Sequence, residues 1–358
     1  MGIKLVAARG AQFISRDPES VQEIRMAWER FFDKYVSSHV GSLPLEYSPE
    51  SFERAFRDLA AAGLDVPPVP QLRDFISMYL QPLADAGIVE ASGTIFKARR
   101  EDLEEAARVR PRLPELEIVS KLARELGVKR LRVPITGAFT LASRVYVGDP
   151  SRGMRSTALA EKELVADVLA GYVANAVRAA VELPGAAIVV DEPVLGTVVG
   201  GRVTLFGYRD EDVLEAYARE LKPAAGLPRG THVCGQVNER LASLLAESES
   251  LDFLNHEFHD TPANLLIPWR RILERGDKFL SPGVFSTKRA EVESFEEMLD
   301  LASRILEVVG HERVNLFSGD CGFGGLKGVP DAYEVALAKL RNLARAVSIL
   351  NERALGKG

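Results

Sequence analysis

Two periodicities alternate along the chain. Short apolar runs, such as residues 186–190, sit between longer stretches whose apolar positions recur every third or fourth residue. The first pattern predicts strands buried on both faces, the second amphipathic helices. The helical period is plain at 18–34 (Val21, Ile24, Trp28, Phe31, Phe32), behind Asp17 as N-cap and Pro18 as first helical residue. It returns at 48–62, 71–86, 100–108, 114–126, 158–182, 210–221, 236–248, 262–275, 293–309 and 330–349. Residues 63–70 hold too many prolines for a helix and read as extended. Small hairpin insertions are expected at 92–97 and at 196–207, around Gly200-Gly201.

Eight strands follow from this pattern, near 36–42, 63–68, 130–136, 186–191, 229–234, 251–257, 278–284 and 313–319. Short apolar strands alternating with helices mean parallel βα units. Eight is the number that closes a (β/α)8 TIM barrel. The alternative, an open doubly wound sheet, lacks a G-x-G-x-x-G after the first strand. The expectation is an α/β chain with an N-terminal helical extension at 1–34 and one barrel at 35–358.

Composition narrows the function. The 358 residues are 46% hydrophobic and 27% charged with a net charge of −6, which excludes a strongly basic nucleic-acid binder. No apolar run approaches the roughly 20 residues of a membrane span. The N-terminus has too short an apolar core for a signal peptide, so a cytoplasmic protein with reduced thiols is expected. Two cysteines are no secreted disulfide framework.

Those cysteines carry the candidate chemistry. In Thr231-His232-Val233-Cys234-Gly235, residues two apart on a strand share a face, so His232 and Cys234 point the same way before a glycine break. Cys321 likewise ends a strand, in Asp320-Cys321-Gly322. Nitrogen and thiolate donors together suit zinc, although buried cysteines are also ordinary core residues. Barrel active sites lie at the C-terminal strand ends, and here those ends carry Ser42, Thr136, Asp191 with Glu192, His232 with Cys234, Glu257 and Cys321. Strand parity puts Asn255, Glu257 and His259 on one face and His256 on the other, where a backbone carbonyl would satisfy it. A His-Cys-Glu-Cys set of His232, Cys234, Glu257 and Cys321 gives four ligands, and a set with His259 in place of Glu257 is open on chemistry alone. Asp191 and Glu192 are candidates to grip a substrate ammonium, or else to cap a helix.

With these residues in view, the chain resembles the catalytic barrel of cobalamin-independent methionine synthase over about residues 35–349. Its markers are Val40-Gly41-Ser42, Thr136-Gly137, Asp191-Glu192-Pro193, His232-x-Cys234, Glu257 and Asp320-Cys321-Gly322. The resemblance implies zinc (Zn2+) on His232, Cys234, Glu257 and Cys321. It implies homocysteine held through its carboxylate at the Val40-Gly41-Ser42 turn and through its amino group at Asp191. The family's second amine-gripping glutamate is missing, with Gln71 the nearest stand-in, and its proton-delivering histidine falls at Lys288. The tryptophan on which a pterin stacks is absent after the third strand, and only about 35 residues stand where longer members carry a further barrel. The expected function is methylation of the homocysteine thiol to methionine, with methylcobalamin or a corrinoid protein rather than polyglutamyl methyl-folate as donor. The rivals are a zinc thiol-alkyltransferase of coenzyme M type, and a barrel whose zinc is structural only.

Overall fold

The computed structural model describes residues 34–354. The expected extension at 1–34, with its helix at about 18–34, lies outside the described residues except for Lys34. The chain folds as an α/β protein around a parallel central sheet. Ten strands are described: β1 (Val36–Ser37), β2 (Glu90–Ser92), β3 (Ile95–Lys97), β4 (Leu131–Thr136), β5 (Val145–Tyr146), β6 (Ala186–Asp191), β7 (Arg229–Val233), β8 (Phe253–Glu257), β9 (Phe279–Gly283) and β10 (Leu316–Phe317). The central sheet runs β4-β6-β7-β8-β9, all parallel. β1 pairs in parallel with β10. Isolated parallel bridges continue both edges: Pro68↔Arg132 and Ser38↔Val66 on one side, Leu280↔Val314 and Gly283↔Ser318 on the other. The expected second strand at 63–68 forms only such bridges, since Pro67, Pro68 and Pro70 have no N–H to donate to a ladder.

Helices flank the strands as the sequence pattern predicts. Pro49–Ala61 starts on Ser48, whose side chain accepts from Ser51 N, and it buries Phe52, Ala55, Phe56 and Leu59. Phe295–Val309 starts on a Ser294/Glu297 capping box. The helix expected from Gln71 begins only at Ser77, because Gln71 is held in a bridge to Ser42 and Asp74 Oδ1 caps Ser77 N at 2.8 Å. The single helix expected at 158–182 is broken, since Glu161 is extended; a π-helical stretch at Leu164–Leu169 then leads into the α-helix Ala170–Ala180. The 92–97 hairpin forms as β2 and β3. At 196–207 one antiparallel bridge, Val199↔Thr204, stands between short helical turns. No helix among the described residues is long and apolar enough to cross a membrane.

Between the strands lies a polar layer. Arg132, fully buried, donates from Nη2 to Asn255 Oδ1 at 3.0 Å. Asn255 Nδ2 donates to Ser281 O at 2.6 Å and to Ser318 Oγ at 3.1 Å. These contacts tie β4, β8, β9 and the segment at 318 directly beneath the candidate site.

Candidate metal centre

β7 delivers His232 and Cys234 together, as two-residue alternation requires, and Gly235 at φ +75° turns the chain away. His232 Nε2 lies 3.1 Å from Cys234 Sγ, and Cys234 Sγ lies 3.2 Å from Cys321 Sγ. Both cysteines are free. One ligand atom from each of these three residues lies within 4.8 Å of the others. The sulfurs titrate as a pair. Their mutual hydrogen bond, with burial, holds the Cys234 thiol well above its usual range, and the same bond takes Cys321 well below it. Burial opposes a charge on His232, but Cys321 and then Asp191 outweigh it and raise that imidazole.

Glu257 closes β8 with a side chain 1% exposed. Its Oε2 accepts from Thr261 Oγ1 and from Lys288 Nζ, both at 3.1 Å. Its Oε1 is buried with no hydrogen-bond partner. A buried carboxylate oxygen left bare is costly unless a cation meets it. The structure brings His232, Cys234 and Cys321 together and leaves Glu257 outside that close group; nitrogen and two sulfurs, with this bare carboxylate as a fourth candidate, are donor types that fit zinc. Asn264 joins the two loops that carry candidate ligands, donating to Glu257 O at 2.7 Å and Gly235 O at 3.1 Å.

His256 and His259 separate as parity predicts. His256 is fully buried with Nδ1 3.2 Å from Val233 O, and it stacks on Trp269. His259 falls instead into a second group with Asp260 and Asp320. Its Nδ1 lies 3.0 Å from Asp260 Oδ1, apart from the cysteines.

The acidic pair at the end of β6 divides. Asp191 stands opposite His232 in register. Its Oδ1 is buried without a hydrogen bond, 4.0 Å from Arg132 Nη2. Burial pushes its pKa up to about 6, against the pull of His232 and Arg132. Burial lowers Arg132 to about 10, so it stays cationic near neutrality. Glu192 turns the other way. It accepts from Phe139 N at 2.9 Å, Thr140 N at 2.8 Å and Thr140 Oγ1 at 2.6 Å, capping the short helix Ala138–Ala142. Capping is thus its observed work, on a helix 50 residues earlier in the chain rather than the next one. Gly137 makes room, since a Cβ there would fall 2.2 Å from Glu192 Oε1.

Val40-Gly41-Ser42 packs beside the turn that follows Cys321. Gly41 has φ +138° and passes so close to Pro134 that a Cβ would fall 2.8 Å from its ring. Ser42 Oγ accepts from Gly324 N at 3.1 Å and Ser42 O accepts from Phe323 N at 2.9 Å, so this turn is tied to the one after Cys321. Gln71 bridges to Ser42, with Nε2 buried and unpartnered. Thr136 donates to Phe75 O at 2.8 Å. Lys288, 57% exposed, reaches the site only through Glu257.

Comparison with known proteins places this geometry. Residues 118–348 match the family described as cobalamin-independent synthase, catalytic domain. A methionine synthase of Methanothermobacter marburgensis is 26% identical over 347 residues, covering 93% of this chain and 95% of the relative. One from Methanocaldococcus jannaschii is 27% identical over 336 residues, covering 90% and 94%. Among solved structures, a B12-independent methionine synthase from Shewanella sp. W3-18-1, in complex with selenomethionine, superposes with a TM-score of 0.61. It is 16% identical and covers 90% of this chain and 99% of its own, a likeness of fold.

Proposed function

This chain belongs to the cobalamin-independent methionine synthase family of methyltransferase enzymes, and on that premise we propose that it methylates the thiol of L-homocysteine at a zinc ion held by His232, Cys234, Glu257 and Cys321. The observation that carries the metal is one imidazole nitrogen and two sulfurs within 4.8 Å of one another; Glu257 lies outside that close group, but its buried Oε1 is bare and its charge acts on the Cys234 thiol. Zinc, when bound, would let an incoming thiol shed its proton near neutral pH and stay nucleophilic.

The chain's own residues do the rest. Two cysteine sulfurs and one carboxylate make the ligand set electron-rich, which suits activation of a sulfur nucleophile. Asp191 faces the same mouth with an oxygen free to take the substrate ammonium, and Arg132 beneath it favours the ionised carboxylate. The Val40-Gly41-Ser42 turn, tied to the turn after Cys321 and bridged to Gln71, would receive the substrate carboxylate; fixing both ends lowers the entropic cost of alignment. Glu192, spent on its helix cap, is left out of the substrate set.

For the donor we favour a methylated corrinoid, free or protein-bound, over polyglutamyl methyl-folate. The run after β4 offers no exposed ring for a pterin to stack on. Its one aromatic, Phe139, is buried against Tyr208 at a ring distance of 5.2 Å.

We read residues 35–358 as one closed (β/α)8 barrel. Arg132 on β4 bonds Asn255 on β8, three strands away. In a flat sheet that separation would be about 14 Å, beyond the reach of the side chain. The edge bridges supply the remaining neighbours.

The test is methionine formation from homocysteine by zinc-loaded protein, with methylcobalamin and methyl-tetrahydrofolate as alternative donors. Turnover with methylcobalamin is expected. No methionine from either donor would sink the proposal.

A further inference from the structure

Asp320 precedes Cys321, is fully buried, and spends its carboxylate on three consecutive backbone amides. Oδ1 accepts from Phe258 N at 2.9 Å and His259 N at 3.0 Å, and Oδ2 accepts from Asp260 N at 2.5 Å. Those amides directly follow Glu257. The carboxylate therefore joins the residue before one candidate ligand to the backbone after another, across β8, β9 and β10. The middle strand gives way to admit it: a Cβ on Gly283, the register partner of Glu257, would fall 2.5 Å from Asp320 Oδ1. His259, Asp260 and Asp320 cluster closely enough to suggest a second cation site. With both Asp320 oxygens occupied by N–H donors, that cluster is an anion cradle instead.

We infer that Asp320 is a positioning residue that sets the Glu257 carboxylate and the Cys321 sulfur at a fixed spacing for a shared metal ion. The inference rests on the zinc reading above. It adds a residue that touches neither metal nor substrate and governs how well the site is formed beforehand. Three charge-assisted bonds on the residues next to Glu257 leave that loop little freedom to swing its carboxylate away.

The test uses the full chain with Asp320→Asn and Asp320→Glu, read by competition of zinc with a chromogenic chelator and by the absorption spectrum of the cobalt(II)-loaded protein. In Asp320→Asn an amide NH2 must face at least one of the three N–H groups. Its zinc affinity is expected to fall about 10- to 100-fold, the range seen when a partner of a metal ligand is lost, with a changed cobalt spectrum. Asp320→Glu keeps the charge and its acceptors, so partial recovery of affinity is expected; it also carries the test if the asparagine variant does not fold. Both readings are taken well below each variant's melting temperature, so lower stability alone leaves them unmoved. Wild-type affinity and an unaltered spectrum in both variants would overturn the inference alone. A wild-type chain that takes up no zinc would overturn the metal reading and this inference with it.

Discussion

Lys288 Nζ lies 3.1 Å from Oε2 of Glu257, while Oε1 of the same carboxylate is buried and bare. One oxygen is thus held by a cation of the protein and the other is free for a metal. Lys288 is more than half exposed, so the pair carries only the modest energy of a surface ion pair, about 0.2–1 kcal/mol. Lys288→Met is expected to strengthen Glu257 as a ligand, tightening zinc by no more than about five-fold. Catalysis should slow if the carboxylate must yield to substrate. Chelator competition and steady-state rates on one preparation check both; weaker zinc binding would refute the assignment.

Cys321→Ser should lose metal and methyl transfer together. Its sulfur lies 3.2 Å from that of Cys234, and a serine hydroxyl at that position stays protonated at neutral pH. Activity is expected to drop at least about 100-fold, with zinc content after dialysis against chelator well under one per chain. Full activity with full metal would end the four-ligand scheme.

Asp191→Asn should separate substrate binding from metal binding. Asparagine is preferable to alanine because it keeps the side chain's volume and a carbonyl dipole near the buried Arg132 guanidinium, which loses the Asp191 charge in either variant. The homocysteine KM is expected to rise on the order of 10- to 100-fold, matching the ~1.5–3 kcal/mol of a hydrogen bond to a charged group. Zinc content should be unchanged. An unaltered KM would remove Asp191 from the substrate site.

Glu192 and Glu220, buried at the N-terminus of one helix, should contribute stability that is lost as pH rises toward neutrality. Desolvation raises both pKa values, and for Glu220 repulsion from Glu192 adds to it. Between the ordinary glutamate range and neutrality the folded chain then holds more protons than the unfolded chain. By linkage, this contribution is greatest below that window and is lost across it, at up to about 1.4 kcal/mol per pH unit for one proton. Glu220→Gln keeps an acceptor for Ala138 N and removes the charge. Buried neutral His39 and His256 pull the other way in both chains, so the reading is the difference: between pH 5 and 8 the wild type should lose a few degrees of melting temperature relative to the variant, at about 2 °C per kcal/mol. Parallel curves would contradict proton uptake by Glu220 on folding.

What could be read in advance follows from locality. His232 and Cys234 are two residues apart on one strand, so alternation alone puts them side by side. Parity likewise sends Glu257 inward and His256 toward Trp269. Contacts across long separations carried no such signal. Glu192 caps a helix begun at residue 138, which no apolar period announces in so short an element. The Gln71 bridge to Ser42 suppressed a helix start that the local pattern favoured. Asp320 stood inside a quoted motif, yet its three amide partners lie some 60 residues earlier, and nothing in Asp-Cys-Gly points to them. Arg132 reads as an ordinary basic residue in a strand until its neighbour on β8 is known.

The two sulfurs meet across 87 residues of chain. A ribosome therefore releases His232 and Cys234 long before the second thiol has been made, and the nascent protein presents half a chelate. Only when the last strand docks beside the first does the other half arrive. On the proposed metal reading, uptake of the ion would be the closing event of biogenesis. On that reading, the zinc content of a preparation would count finished molecules.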